Sequence, residues 1–358
     1  MISKDDRRPS AAGEPVATDA WRRLYAAAVK VGEMEPWAWM EETDIFGVWP
    51  AGRDSPVFVS VMGLLGEYYA VAVYPGPGEL HQFWRLQAMP EGEQSMDRLL
   101  EIAQLHAVFG GARDLEAPDK RIIKELGLKF RGNHAWPYFR SFRPGYFPWF
   151  IEPLEASLLA VALEQLVDVA PRVQKDRSLL ISKDQPGSVL VREPTGEGEK
   201  AGSPWRDRHY VFPPVATTSR IEVPASLMSA VRALKTSRLT FEVDVFAMPM
   251  RIGKQGERPQ RPYALLVVNP ESRFIMGIEL LTVETTLEGM WASVPQRLLE
   301  IIRQSGMRPA GLAVHTPWVH MVLDSLCAEL GIALRPQRRL PALQAVRRDL
   351  EQHGLGGK

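Results

Sequence analysis

The sequence predicts a two-domain α/β protein, with an α+β domain in the first half and an α/β domain built on a five-stranded sheet in the second. Three observations carry this. The chain has 358 residues, enough to bury two cores. Residues 182–204 (SKDQPGSVLVREPTGEGEKAGSP) are rich in Gly, Pro and Glu around one short strand, SVLVRE, the composition of a linker or an exposed hairpin. Beyond it, apolar runs of period two alternate with runs of helical period. The expected organisation is a disordered N-terminus over 1–15, an aromatic-rich α+β domain over 16–180, a linker or exposed hairpin over 181–204, and the α/β domain over 205–354.

In the first half, Thr18-Asp19 is N-cap material, and Trp21, Leu24, Tyr25 and Ala28 follow at helical spacing. Pro36 starts a short turn carrying Trp37 and Trp39. DIFGVWP (44–50) reads as a strand. PVFVSVMG and EYYAVAVY (56–63, 67–74) read as a hairpin turned at Gly63 and Gly66. ELHQFWRLQ (79–87) and MDRLLEI (96–102) read as helices, and LHAVFGG (105–111) as a strand. APDKRIIKELGL (117–128) is an amphipathic helix between Pro118 and Gly127. Residues 129–151 are dense in rings, prolines and arginines. A long helix from 152 should end near Pro171.

In the second half, PASLMSAVRALKTS (224–237) reads as a helix, LTFEVDVFAMPM (239–250) as a strand, and PYALLVVNP (262–270) and RFIMGIELLT (273–282) as a strand pair around Asn269-Pro270-Glu271-Ser272. A helix (286–306), strand (308–317), helix (318–331), strand (332–337) and last helix (340–354) follow, with Gly306 and Gly331 closing the first two helices.

Strand–strand–strand–helix–strand–helix–strand–helix is the order of the ribonuclease H-like fold, a mixed five-stranded sheet with helices. Residues 239–354 resemble the core of retroviral-type integrases and related transposases, on EVDVFAMPM, YALLVVNPESRFIMGIELL and GLAVHTPWVHMVLDSLCAELGIALR. In that family three carboxylates hold two Mg²⁺ ions for phosphodiester attack. The resemblance puts Asp244 at the first position, His315 where the second aspartate should close the fourth strand, and Arg347 where the last helix should carry a glutamate. One acid of three cannot build the site, which implies a degenerate member. The whole chain is also similar to a bacterial two-domain family of unknown function, on PWAWM, DIFGV, VMGLLGE, IKELGLKFRG and FRPGYFPWF, and on the MP…RPYALLVV…RLPAL layout of the second half. That similarity implies no activity.

Composition narrows the classes of partner. Lys+Arg and Asp+Glu balance at 43 each, so overall charge makes no case for nucleic acid or an anionic membrane, and protein or small-molecule partners are expected. The opening MISKDDRRPSAAGEP has no apolar core for a signal peptide, and the single cysteine, Cys327, suits a reducing cytoplasm. Cys327 lies in a helical pattern and reads as packing rather than as a nucleophile.

Several constellations carry possible chemistry. In 129–151, aromatic rings alternate with arginines, and Trp136, Arg140, Arg143, Tyr146 and Trp149 are the binding candidates, for a peptide or for single-stranded bases. The competing reading makes those rings core. Glu33, Glu35, Glu41, Glu42 and Asp44 surround two tryptophans, where an apolar wall can shift a carboxylate; solvated helix-end charges are the alternative. His315, His320 and Asp324 could approach one metal. A Mg²⁺-dependent nuclease or phosphoesterase would use Asp244 with Glu284 (or Glu279 or Glu288) and Asp324. Arg335, Arg338, Arg339, Arg347 and Arg348 make the C-terminal end locally basic. The favoured expectation is a non-catalytic binding or scaffold protein without cofactor, with the Asp244 hydrolase and the single-strand binder as alternatives.

Overall fold

The computed structural model describes residues 18–89, 96–196, 204–214 and 221–353. The expected disordered stretch 1–15 lies outside them. The chain forms two compact units: Met1–Arg143 with Pro148–Ala216 and Gln255–Arg258, and Pro144–Phe147 with Thr217–Lys254 and Pro259–Lys358. Among the described residues no helix is long and apolar enough to cross a membrane.

The first unit begins with α1 (Thr18–Met34) and a 3-10 turn at Pro36–Ala38. β1 (Phe46–Val48), β2 (Val57–Met62), β3 (Ala70–Tyr74), α2 (Pro77–Gln87), α3 (Met96–Leu99), β4 (Gln104–Gly110), α4 (Ala117–Glu125), β5 (Trp136–Phe142), α5 (Pro153–Lys175), β6 (Val189–Pro194) and β7 (Trp205–Tyr210) complete it. Its seven-stranded sheet has the order β5-β4-β3-β2-β1-β6-β7, antiparallel except where β6 lies parallel to β1. Strand alternation sorts the side chains. Val57, Val59 and Val61 join the core beneath α1 and α5, whereas Phe58 joins Tyr74, Leu80 and Phe83 on the face covered by α2.

Three sequence expectations change here. The strand SVLVRE, read as part of a linker or exposed hairpin, is β6: it pairs with β7 but also with β1, and its Val189, Leu190 and Val191 are buried within the sheet. Residues 205–210, which the expected range 205–354 puts in the second domain, form β7 in this sheet. α5 matches the helix expected over 152–173 and runs through Pro171 to Lys175. α3 is also shorter than the helix expected over 96–102.

The second unit contains α6 (Ala225–Arg232), β8 (Thr240–Ala247), β9 (Tyr263–Val268), β10 (Ile275–Leu281), α7 (Leu287–Ser305), β11 (Gly311–Val314), α8 (Pro317–Leu330), β12 (Ala333–Pro336) and α9 (Pro341–His353). The sheet order is β10-β9-β8-β11-β12, with β9 antiparallel to both β8 and β10, and β11 parallel to β8 and β12. Phe241, Val243 and Val245 of β8 share one core with α6, α7 and α8, and Phe246 shares another with Leu343 and Val346 of α9. α7 is capped as its sequence foretells: the Thr286 hydroxyl accepts from Gly289 N–H at 3.0 Å, and Gly306 ends it at φ 72°. At Gly277 β10 lies so close to α7 that a Cβ would sit 2.6 Å from Ile301, which explains the glycine in that strand.

Candidate functional site

A cavity of about 840 Å³ opens in the first unit, within the size range of small-molecule sites. Five pieces of chain build it: the C-terminal end of α1, the Pro36–Ala38 turn, the β2–β3 turn, the end of β4 at Phe109, and the loop entering β5. Its apolar wall is a chain of touching rings. Trp37 lies 4.9 Å from Phe109 and 5.3 Å from Tyr69 between centroids, and Tyr69 meets His134 edge-on at 4.5 Å. Phe130 extends the lining and stacks on Tyr25. Trp37 and Phe109 are almost wholly covered, so packing behind them fixes the wall.

The backbone around this void is unusual. Three non-glycine residues among those described have positive φ, and two of them, Glu35 (φ 52°) and His134 (φ 61°), line the cavity. Such conformations are sparsely populated and persist only where surrounding structure enforces them. Gly63 (φ 138°) lets the β2–β3 turn approach Trp37: a Cβ there would sit 2.8 Å from the Tyr69 ring and 3.0 Å from Trp37 Cβ. The rim holds Glu33, Glu35, Lys129, Arg131 and Asn133. Among the described residues these charged side chains enter no ion pair with one another or with a neighbour.

Sequence reasoning singled out Glu33, Glu35 and the start of the 129–151 run separately, and the fold brings them together. Tyr69, Phe109 and Gly63 were missed as site residues. The Gly63/Gly66 pair marked only a turn, and Tyr69 and Phe109 read as ordinary strand residues.

The other binding candidates have different surroundings. Arg140 is buried and gives Asp119 a two-pronged pair at 2.9 and 2.8 Å, with Glu116 at 3.2 Å. Its guanidinium also stands 4.9 Å from the Tyr138 ring centroid and 4.7 Å from that of Phe150. Arg143 pairs with Glu152 and Glu155 at the start of α5. Trp136 packs edge-on against Phe130 beside the core. Trp149 exchanges main-chain bonds with Ser141. Tyr146 falls in the second unit, where its hydroxyl accepts from Gln260 at 3.3 Å. The aromatic run is therefore divided between the two units, and Arg140 and Arg143 are committed to acids. Glu42 is partly buried on the α2 side, where burial raises its carboxyl and Gln87 donates to it. Glu41 and Asp44 pair with Arg177.

In the second unit, Glu242, Asp244 and Phe246 alternate onto the β8 face that α9 covers. Glu242 accepts from Leu343 N–H at 2.7 Å and so caps α9. Arg347 stands 4.4 Å over the Phe246 ring. Asp244 is buried, which raises its carboxyl above the ordinary aspartate range. A hydrogen bond from Thr316, the Val245 N–H, and the charges of His315 and Arg347 pull in the opposite direction. His315 Nδ1 donates to the Gln337 carbonyl at 3.1 Å. Glu284 and Asp324 are exposed. Among the described residues no three His, Cys, Asp or Glu side chains gather where an ion could sit, so neither Asp244–Glu284–Asp324 nor His315–His320–Asp324 forms a coordinating group. Cys327 is buried and its thiol is pushed up to about 12, which leaves it a packing residue.

Residues 21–192 match the model of a domain of unknown function, DUF7309, and residues 227–351 match that of a second, DUF6930. No protein of curated function matches the chain. The two matches correspond to a two-domain architecture of unknown function, and the class that the fold defines is a mixed α/β protein with two mixed sheets.

Proposed function

We propose that this protein binds a small, flat molecule in the Trp37–Tyr69–Phe109 cavity and catalyses no reaction there. One observation carries the reading: enforced left-handed backbone, a fixed aromatic wall and uncommitted charges all face the same void. A wall of rings rewards a planar apolar body by stacking and by burial of its faces. The site has no paired acid and base at hydrogen-bond distance, and no nucleophile held by one, as acyl or proton transfer would require.

The second unit supports a ribonuclease H-like reading, through a strand order of third, second, first, fourth, fifth with the second strand antiparallel. At the position of the family's metal pair, Asp244 faces a histidine, a threonine hydroxyl and an arginine. Magnesium wants several oxygen ligands, and a guanidinium repels it. The residues present do not fit the ions, so this unit serves as a scaffold.

The test is chemical-shift mapping of the full chain with one- and two-ring aromatic fragments. Shifts should concentrate on Trp37, Tyr69, Phe130 and His134, and Ala38→Trp, which fills the cavity from its exposed rim, should abolish them. Shifts centred elsewhere, or unchanged in Ala38→Trp, would overturn the reading.

A further inference from the structure

We infer that the ligand is amphoteric: a planar apolar ring system carrying both a cationic amine and an anionic carboxylate or comparable acid group. This rests on the cavity being a binding site. The rim presents two carboxylates, Glu33 and Glu35, at the end of α1, and two cations, Lys129 and Arg131, in the loop entering β5. Elsewhere in this same unit several exposed opposite charges pair: Arg23 with Glu164, Arg143 with Glu152, Arg177 with Asp44. Around the cavity, among the described residues, all four stand without an ion pair, while the Asn133 amide adds a neutral donor and acceptor.

The backbone argues in the same direction. Glu35 occupies a left-handed conformation at the head of its 3-10 turn, and its side chain makes no capping bond there. Residues such as Gly or Asn serve that conformation better than glutamate does. Helix-end geometry therefore does not account for a carboxylate at this position, and a cation at the cavity mouth does. A ligand with a single charge would meet attraction from one pair and repulsion from the other, whereas a zwitterion satisfies both.

Calorimetry on the full chain with four related probes separates the terms: indole, tryptamine, indole-3-propionate and L-tryptophan. L-Tryptophan should bind at least about 3-fold more tightly than either singly charged relative, the scale of an exposed charge pair. Glu33→Gln/Glu35→Gln should erase the advantage of L-tryptophan over indole-3-propionate, and Lys129→Met/Arg131→Met its advantage over tryptamine. All four positions are exposed, so the fold should survive. If all four probes bind equally well and Ala38→Trp blocks them, the amphoteric assignment falls while the cavity reading stands. If they bind equally in Ala38→Trp, or none binds, both fall.

Discussion

Acidification should destabilise the first unit through one side chain, His106. Its ring is buried on β4 and lies 4.2 Å from the Phe142 ring, tilted 40° to it. Nδ1 accepts from the Tyr68 hydroxyl at 3.1 Å, and Nε2–H donates to Gln104 Oε1 at 3.0 Å, while Gln104 in turn donates to the Leu99 carbonyl. That arrangement suits a neutral imidazole. Burial pulls the group from 6.5 down to about 3. Because the folded value is depressed, the unfolded chain binds the extra proton below pH 6.5, and stability falls as pH drops from there towards 3. Between pH 6.5 and about pH 5 the difference amounts to about 1.5 pH units, or about 2 kcal/mol. Urea unfolding at about pH 7 and about pH 5 measures it, with His106→Gln as the control that cannot titrate. Wild type should lose about 2 kcal/mol more than the variant over that interval. Equal losses, or a His106 ring that titrates by NMR near 6.5 in the folded protein, would refute the reasoning.

Four further outcomes follow from buried geometry. Asp119→Ala should cost about 3 kcal/mol in urea unfolding, because it leaves the Arg140 guanidinium in the interior with the exposed Glu116 as its remaining carboxylate. Gly277→Ala should lower stability by about 1–3 kcal/mol, since the added methyl would lie 2.6 Å from Ile301. Calorimetry with Mg²⁺ or Mn²⁺ should show no saturable heat that Asp244→Ala removes. Asp244→Asn should match or exceed wild-type stability at neutral pH, since burial opposes the charged form.

Element types were legible where the local pattern agreed with the tertiary role. Thr286 and Gly306 frame α7, and the alternation in β2 and β8 divides residues between two faces as their apolarity requires. Flanking composition hid position rather than element type at SVLVRE: its own apolar run marks a strand, but it sits between Gly-, Pro- and Glu-rich stretches, and only pairing with β1 shows it to lie inside the sheet. The segment 144–147 offers no local sign that it belongs to a different compact unit from the residues on either side. Half of the cavity was visible as isolated signals, Glu33 and Glu35 beside Trp37 and the ring-rich stretch from 129. Nothing in the sequence says that residues nearly a hundred positions apart share a void. Tyr69 and Phe109 have strand-like neighbours, and the positive φ of His134 has no compositional marker.

The central claim is that the aromatic cavity, and not some exposed apolar spot, receives the ligand. Intermolecular nuclear Overhauser effects from bound indole-3-propionate locate it directly. The account predicts contacts to ring protons of Trp37, Tyr69 and Phe109. Contacts confined to the exposed side chains of Leu65, Phe274 or Met321, with none to those rings, would contradict it.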